Sequence, residues 1–454
     1  MTVRISCGAL LLMGSLLTGC LGEGPDPVGT EPDLTDLQLE DLIEDVGGVK
    51  GLSAFILPES DNFGQIPQDN RNPITSAKVE LGRQLYNETG LMNASKFTGN
   101  NYTVSCASCH HSAAGFQAGI KQGIGDGGIG FGVAGEGRIP NPDYEVDSLD
   151  IQPIRTPSSL NAAFQKVTLW DGSFGARGAN SGTSRLWTRG TPLETNFKGY
   201  FGIETQAIAG LSVHRMHVDS QLVDELGYKA QFDAIFANFS TDERYTTETA
   251  GLAIAAYERT LLANKAPFQE WLRGDWDALE EDEKQGALLF FGKARCVSCH
   301  SSPALNSEGF YALGMGDLDG PGVYGDFDGD TKNLGRGGFT QREGEYYKFK
   351  TPQLYNLKDV DFFGHGATFR SIREVVEYKT QNNGAIQNQE MPIEYLYHKF
   401  GEVELTDLEV DRLTAFLTNA LYDPQLDRYD PASVKSGNCM PNSDPQSRVD
   451  LGCD

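Results

Sequence analysis

The sequence predicts a mainly α-helical protein built in two halves, and three observations carry that expectation. Apolar residues recur at helical spacing in several segments, while the alternation expected of strands is weak throughout. The pattern Cys-x-x-Cys-His occurs once in each half, as Cys106-Ala107-Ser108-Cys109-His110 and Cys296-Val297-Ser298-Cys299-His300. Between the helical segments lie long glycine- and aspartate-rich stretches that read as irregular loops.

Arg4, an apolar run over residues 9–17 and the sequence Leu17-Thr18-Gly19-Cys20 open the chain of 454 residues. This is the pattern of a lipoprotein signal peptide over 1–19, cleaved before Cys20, which then carries the lipid. The run is too short to span a bilayer, and no other stretch approaches the roughly 20 apolar residues that a spanning helix needs. Lipidation anchors a chain without spanning. Leu21, not Asp, follows the cysteine, so the expected location is the outer membrane, facing the periplasm. Ordinary secretion with a longer leader is the alternative.

Residues 20–70 are rich in Asp, Glu, Pro and Gly and read as a flexible acidic tether with one short helix over 34–46. Order begins at Ile74-Thr75-Ser76, where Thr75 or Ser76 caps a helix carrying Val79, Leu81 and Leu85. The first Cys-x-x-Cys-His follows, then a wrapping loop over 115–137. Helical periodicity returns over 218–239 and 247–263, and a helix over 281–292 leads into the second motif. After a loop-rich stretch over 301–349, two last helices are expected over 371–380 and 406–421. Asp326-x-Asp328-x-Asp330 lacks the later Glu of a calcium loop and reads as a solvated turn. Residues 71–277 and 278–425 form the two halves, and 426–454 a tail.

Cys-x-x-Cys-His attaches c-type haem. The two thiols add across the vinyl groups, and the adjacent His lies under the iron as its proximal ligand. A lone Cys-x-x-Cys serves equally as a redox pair or half a zinc site. Here each pair has its own His, and zinc would need four ligands gathered from distant motifs. Cys106, Cys109 and His110, and Cys296, Cys299 and His300, are therefore read as holding two covalent haems. Of the other cysteines, Cys7 leaves with the leader and Cys20 is lipidated. Cys439 and Cys453 remain in the tail, where an oxidising compartment favours a disulfide between them. The formal charge of −26 disfavours nucleic acid and anionic lipid and suits a basic redox protein.

The chain resembles the bacterial di-haem cytochrome c peroxidase and MauG family. The resemblance runs over about residues 73–422 and rests on several phrases in order. These are Lys78-Val79-Glu80-Leu81-Gly82-Arg83-Gln84-Leu85, the first haem motif, Arg155-Thr156-Pro157-Ser158-Ser159-Leu160-Asn161-Ala162-Ala163-Phe164 and Leu169-Trp170-Asp171-Gly172. Ile203-Glu204-Thr205-Gln206-Ala207, Ala256-Tyr257-Glu258-Arg259-Thr260-Leu261, the second haem motif, Phe349-Lys350-Thr351-Pro352 and Gly364-His365-Gly366 follow. The resemblance implies two cytochrome c-like domains, an N-terminal haem that reacts with peroxide and a C-terminal haem that relays or stores electrons. Trp170 matches the tryptophan between the haems, and a calcium ion is implied beside it.

Three departures from the family pattern bear on chemistry. Gly130-Phe131-Gly132 stands where family peroxidases carry a distal His, which implies an N-terminal iron open without prior reduction. Ten residues after Gln206, where many members have a catalytic Glu, stands Met216. A connection shorter by two residues puts His214 over the haem as acid/base, its ordinary pKa of about 6.5 suiting that work. Arg215 and Gln206 would polarise the leaving oxygen, with Glu204 next in line as acid/base and His217 a weaker candidate. At the C-terminal haem, the family ligand lies fourteen residues after the His of Gly-His-x-Gly. From His365 that count reaches Lys379, and a one-residue slip makes Tyr378 the axial phenolate, with Met391 a further option. Arg155 replaces the Asn that supplies calcium, leaving carbonyls near Val360 and Phe362, and Asp361, as remaining donors.

Three functions follow. The first is a periplasmic di-haem peroxidase reducing hydrogen peroxide with electrons from a small cytochrome c or cupredoxin. The second is a MauG-type enzyme that uses peroxide to oxidise Trp or Tyr of a partner protein. The third is a non-catalytic di-haem electron carrier.

Overall fold

In the computed structural model, residues 31–381 and 385–453 are described. The leader and Cys20 lie outside these residues. The architecture is helical, and each half is organised by a close helix crossing. The Ser76–Tyr86 helix is capped by Thr75, whose side chain accepts from the Lys78 N–H. It packs on the Thr247–Glu258 helix, which also receives the Gly202–Val213 helix. Gly82 permits the first crossing: a Cβ there would lie 2.0 Å from the Ala253 carbonyl oxygen. In the second half, the Glu281–Phe291 helix crosses the Asp407–Ala415 helix in the same way. A Cβ on Gly286 would lie 2.1 Å from the Arg412 carbonyl oxygen. The Ile372–Thr380 helix packs beside this second pair, and a π-helical turn, Phe416–Ala420, extends it.

One continuous core joins the halves. Leu81, Leu85, Ile254 and Phe268 from the first meet Phe290 and Phe416 from the second within a single cluster of buried side chains. Among the described residues, strand is confined to two antiparallel ladders, Gly128–Ile129 with Ile139–Pro140 and Phe310–Tyr311 with Phe349–Lys350. The segment expected as one helix over 218–239 divides at Gly227 into Ser220–Glu225 and Lys229–Ile235. The Asp326–Asp330 stretch is an exposed turn, as its composition suggested.

One expectation needs correction. From residue 31 on, the supposed acidic tether belongs to the packed body. The Leu34–Gly47 helix buries Leu39 and Ile43 completely. Its Asp36 carboxylate pairs with Lys284 at 2.8 Å and accepts from the Trp271 indole N–H at 2.8 Å. Net acidity hid an amphipathic helix whose one inward carboxylate has a matched cation. The tail is equally ordered, and Cys439 and Cys453 form a disulfide. It docks on the first motif: the Ser105 hydroxyl donates to the Pro441 carbonyl at 2.8 Å, and the Ser443 N–H donates to Thr103 at 2.9 Å. Asp444 and Asp450 then accept from the backbone N–H groups of Gly130 and Phe131 at 3.0 and 2.8 Å. No described helix is long and apolar enough to cross a membrane.

Candidate active site

Each Cys-x-x-Cys-His begins in a single 3-10 turn, Cys106–Ser108 or Cys296–Ser298, which brings both sulfurs and the following imidazole to one side. A connected cavity of about 870 Å³ runs from one motif to the other and is lined by Cys106, Cys109, His110, Cys296, Cys299 and His300. The two imidazoles are held alike. His110 Nδ1 lies 3.2 Å from the Phe116 carbonyl oxygen, and His300 Nδ1 lies 2.7 Å from that of Leu305. A proton fixed on Nδ1 leaves the Nε2 lone pair for a metal. Burial lowers both pKa values to about 4, so both rings are neutral, as ligation requires.

The thiols bear on the competing readings. Burial raises Cys106 and Cys296 to about 12 and Cys109 to about 11. A redox Cys-x-x-Cys needs a depressed thiol pKa, whereas burial moves Cys106, Cys109 and Cys296 the other way. Among the described residues, no group of three or more His, Cys, Asp or Glu is placed to hold a metal ion, so the zinc reading finds no site. Unpaired thiols, neutral imidazoles and an apolar-walled cavity fit a haem at each motif.

Over the first motif, the C-terminal end of the Gly202–Val213 helix delivers the reactive groups. His214 caps that helix and lines the cavity, with 37% of its side chain accessible. Its Nδ1 lies 2.8 Å from Asp150 Oδ2, and the Asp150 side chain is buried. Burial opposes a charge on His214, but the adjacent carboxylate outweighs it and holds the pKa above the ordinary value. Gln206 and Met216 also line the cavity.

Other candidates lie elsewhere. Glu204 is fully buried behind the helix, in a two-pronged pair with Arg259 at 2.7 and 2.8 Å. Arg215 turns away from the cavity and pairs with Asp126. His217 is exposed beside Asp219. Phe131 does not line the cavity; it packs edge-on against His111 with ring centroids 4.8 Å apart. Phe131 therefore occupies no distal position.

Trp170 lines the cavity between the halves. Its indole N–H donates to the Arg155 carbonyl at 2.9 Å, and its own carbonyl accepts from the Lys350 N–H at 2.8 Å. Arg155 itself is buried, donating to Gln117 Oε1 at 2.8 Å, with its pKa lowered to about 9 by burial. A fixed guanidinium thus occupies the position where the resemblance implies a calcium ligand. Asp361 is exposed.

At the second motif the structure corrects Tyr378. Its hydroxyl donates to the Leu313 carbonyl at 2.8 Å, and its ring packs on Phe369 and Phe400, outside the cavity. Successive helical residues point about 100° apart, so the neighbour of an outward Tyr378 faces in. Lys379 does line the cavity, as does Met391.

Comparison with known proteins agrees with this geometry. A family profile described as di-haem cytochrome c peroxidase matches residues 76–277. The methylamine utilization protein MauG of Methylorubrum extorquens is 26% identical, with 84% of this chain and 86% of that one covered. The cytochrome c peroxidase of Escherichia coli K12 is 27% identical, over 81% of this chain and 64% of its own. Over residues 76–277 the chain is thus similar to the di-haem cytochrome c peroxidase family, and over most of its length to MauG and to cytochrome c peroxidases. It is an oxidoreductase, and two c-type haems are the cofactors this likeness implies. A crystal structure of a MauG-like protein associated with microbial copper homeostasis shares the fold. Its TM-score is 0.55 at 23% identity, with 82% of this chain and 95% of that one covered.

Asp150 escaped the sequence reading. It lies 64 positions before His214, and nothing in the intervening sequence joins them. Lys379 carried a readable signal, because it continues the apolar stripe Ile372, Val375, Val376 at the next helical step.

Proposed function

We propose that this protein is a di-haem c-type peroxidase that reduces hydrogen peroxide, each haem enclosed by one cytochrome c-like half. Electrons come from a small cytochrome c or cupredoxin, and the enzyme works in the periplasm, anchored to the outer membrane by lipid on Cys20. The observation that carries the chemistry is His214, which faces the same cavity as His110 and is held by Asp150.

Haem supplies a redox-active iron at which the peroxide O–O bond is cleaved. The chain does the rest. His110 and His300 would hold the two haems through Nε2, their Nδ1 atoms facing the Phe116 and Leu305 carbonyls. Asp150 fixes His214 with Nδ1 protonated, which presents Nε2 to the substrate. Nε2 takes a proton from one peroxide oxygen and returns it to the other, which leaves as water. The Gln206 side chain, which lines the same cavity, would polarise the leaving oxygen. Trp170, hydrogen-bonded to both halves, supports electron passage between them.

The test combines three measurements on the full-length protein. Haem staining after denaturation should show two covalent haems per chain. The oxidised enzyme should show one high-spin ferric signal and bind cyanide without prior reduction. Reduced cytochrome c should be consumed on peroxide addition. Slow cytochrome c oxidation together with covalent change at Trp or Tyr of a partner protein would replace this reading with the MauG-type one. Two purely low-spin signals and no peroxide reaction would establish the electron carrier.

A further inference from the structure

We infer that Lys379 is the distal axial ligand of the C-terminal haem, its side-chain nitrogen binding the iron opposite His300. The inference rests on the di-haem reading above and adds the identity of a ligand to it.

The Ile372–Thr380 helix lines the cavity with Ile372, Val375, Val376 and Lys379, and with Thr380, whose hydroxyl is committed to the Val376 carbonyl. The first four positions follow the i, i+3, i+4, i+7 rule of a single stripe. Three members are aliphatic, and Lys379 alone carries a group able to bind iron. Tyr378 is committed to the opposite side by its bond to Leu313.

The surroundings of Lys379 differ from those of the other inward lysines. Lys284 pairs with Asp36 and Asp33, Lys350 donates to the Ser307 carbonyl, and Lys78 donates to Asn72 and the Pro73 carbonyl. The nitrogen of Lys379 has no hydrogen bond or ion pair among the described residues, although it shares a cavity wall with Cys296, Cys299 and His300. A solvent-poor ammonium without a counter-ion is costly. An amine that gives its proton to solvent and its lone pair to iron removes that cost, and no electron changes hands. Met391 also reaches the cavity, but a buried thioether needs no polar partner, so its placement is explained by packing alone.

A nitrogen ligand on each side of the iron makes the C-terminal haem low-spin. It also lowers the reduction potential relative to a methionine ligand. The experiment is electron paramagnetic resonance and potentiometry of the purified holoprotein and its variants, with haem staining as a control. Lys379→Ala and Lys379→Arg should each keep two covalent haems and convert the low-spin ferric signal to high-spin. Arg retains the charge yet cannot ligate, so it separates coordination from electrostatics. Lys379→Met, similar in size, should restore a low-spin haem at a higher potential. A low-spin signal that survives both Lys379→Ala and Lys379→Arg, with both haems in place, overturns the assignment. Loss of that signal in Met391→Leu alone overturns it in favour of Met391. Fewer than two stained haems in the wild type would instead overturn the underlying di-haem reading.

Discussion

The imidazole of His214 and the carboxylate of Asp150 meet at 2.8 Å inside a cavity that also holds His110. One residue closes a helix and the other leaves the loop that follows the glycine-rich segment. Their contact orients a ring that would otherwise be free to rotate at a helix end. A histidine fixed by a buried carboxylate is a directed proton carrier, and most of the functional reading depends on that direction.

His214→Ala should retain both haems and react with peroxide at least about a hundred times more slowly, the lower range for loss of a general acid/base. His217→Ala, altering an exposed ring outside the cavity, should react at the wild-type rate. Stopped-flow spectroscopy of the oxidised enzyme measures both. A wild-type rate in His214→Ala would end its assignment, and Glu204 could not replace it, because Arg259 occupies both of its oxygens.

The pH dependence follows from the same pair. Burial pushes the His214 pKa down and Asp150 pushes it up further, for a net rise above the ordinary value. The neutral ring is the proton acceptor, so kcat/KM should fall as pH drops through that raised value. Asp150→Asn leaves burial unopposed, and the acidic limb should move to lower pH while the rate on the plateau drops. The stability linkage has its own sign. Because folding raises this pKa, the stability the pair contributes is present below the ordinary histidine value and lost as pH rises through the folded one. An acidic limb unmoved in Asp150→Asn would show that the carboxylate does not act on the ring.

Glu204 and Arg259 form a pair with both side chains essentially inaccessible, and Asn72 adds a bond to the carboxylate at 3.4 Å. Removing one member leaves an uncompensated buried charge, at a cost of about 3–5 kcal/mol. Glu204→Ala and Arg259→Ala should each lower the free energy of unfolding by that order, measured by denaturant titration. The double variant should lose less than the sum of the two. Peroxide reactivity per folded, haem-loaded molecule should stay within a few-fold of wild type. A hundredfold loss with unchanged stability would return Glu204 to the chemistry.

Much of the fold was legible because its signals are local. Thr75 caps its helix, the helix before the second motif lies where the apolar spacing put it, and the weak strand signal matched two short ladders. What the sequence concealed was contact between distant segments. The acidity around residues 34–47 suggested a tether, yet a single inward Asp36 facing Lys284 makes the helix part of the body. At the site, Cys106, Cys296 and their partners were plain from spacing. Arg215 and Phe131 were misplaced because adjacency in sequence does not say which way a side chain turns: Arg215 has φ +60° at the helix exit and points to Asp126. Tyr378 was misplaced by one residue, and the period of its own helix corrects it.

The last prediction concerns the tail. The Cys439–Cys453 disulfide spans 14 positions and encloses Pro441, Ser443, Asp444 and Asp450. Pro441 and Ser443 bind the backbone and hydroxyls around the first Cys-x-x-Cys-His, while Asp444 and Asp450 hold Gly130 and Phe131 in the loop that wraps it. A closed loop of about 15 residues contributes about 3 kcal/mol on the chain-entropy account. Cys439→Ser with Cys453→Ser should therefore lower stability by that order. The effect should also be local. Hydrogen exchange should speed up at the N–H groups of Gly130 and Phe131, and the ferric signal of the N-terminal haem should broaden. Signals from the second motif, which the tail does not touch, should stay unchanged. Equal loosening at both motifs, or none at Gly130 and Phe131, would show that the tail is only attached to the first site and does not hold it in shape.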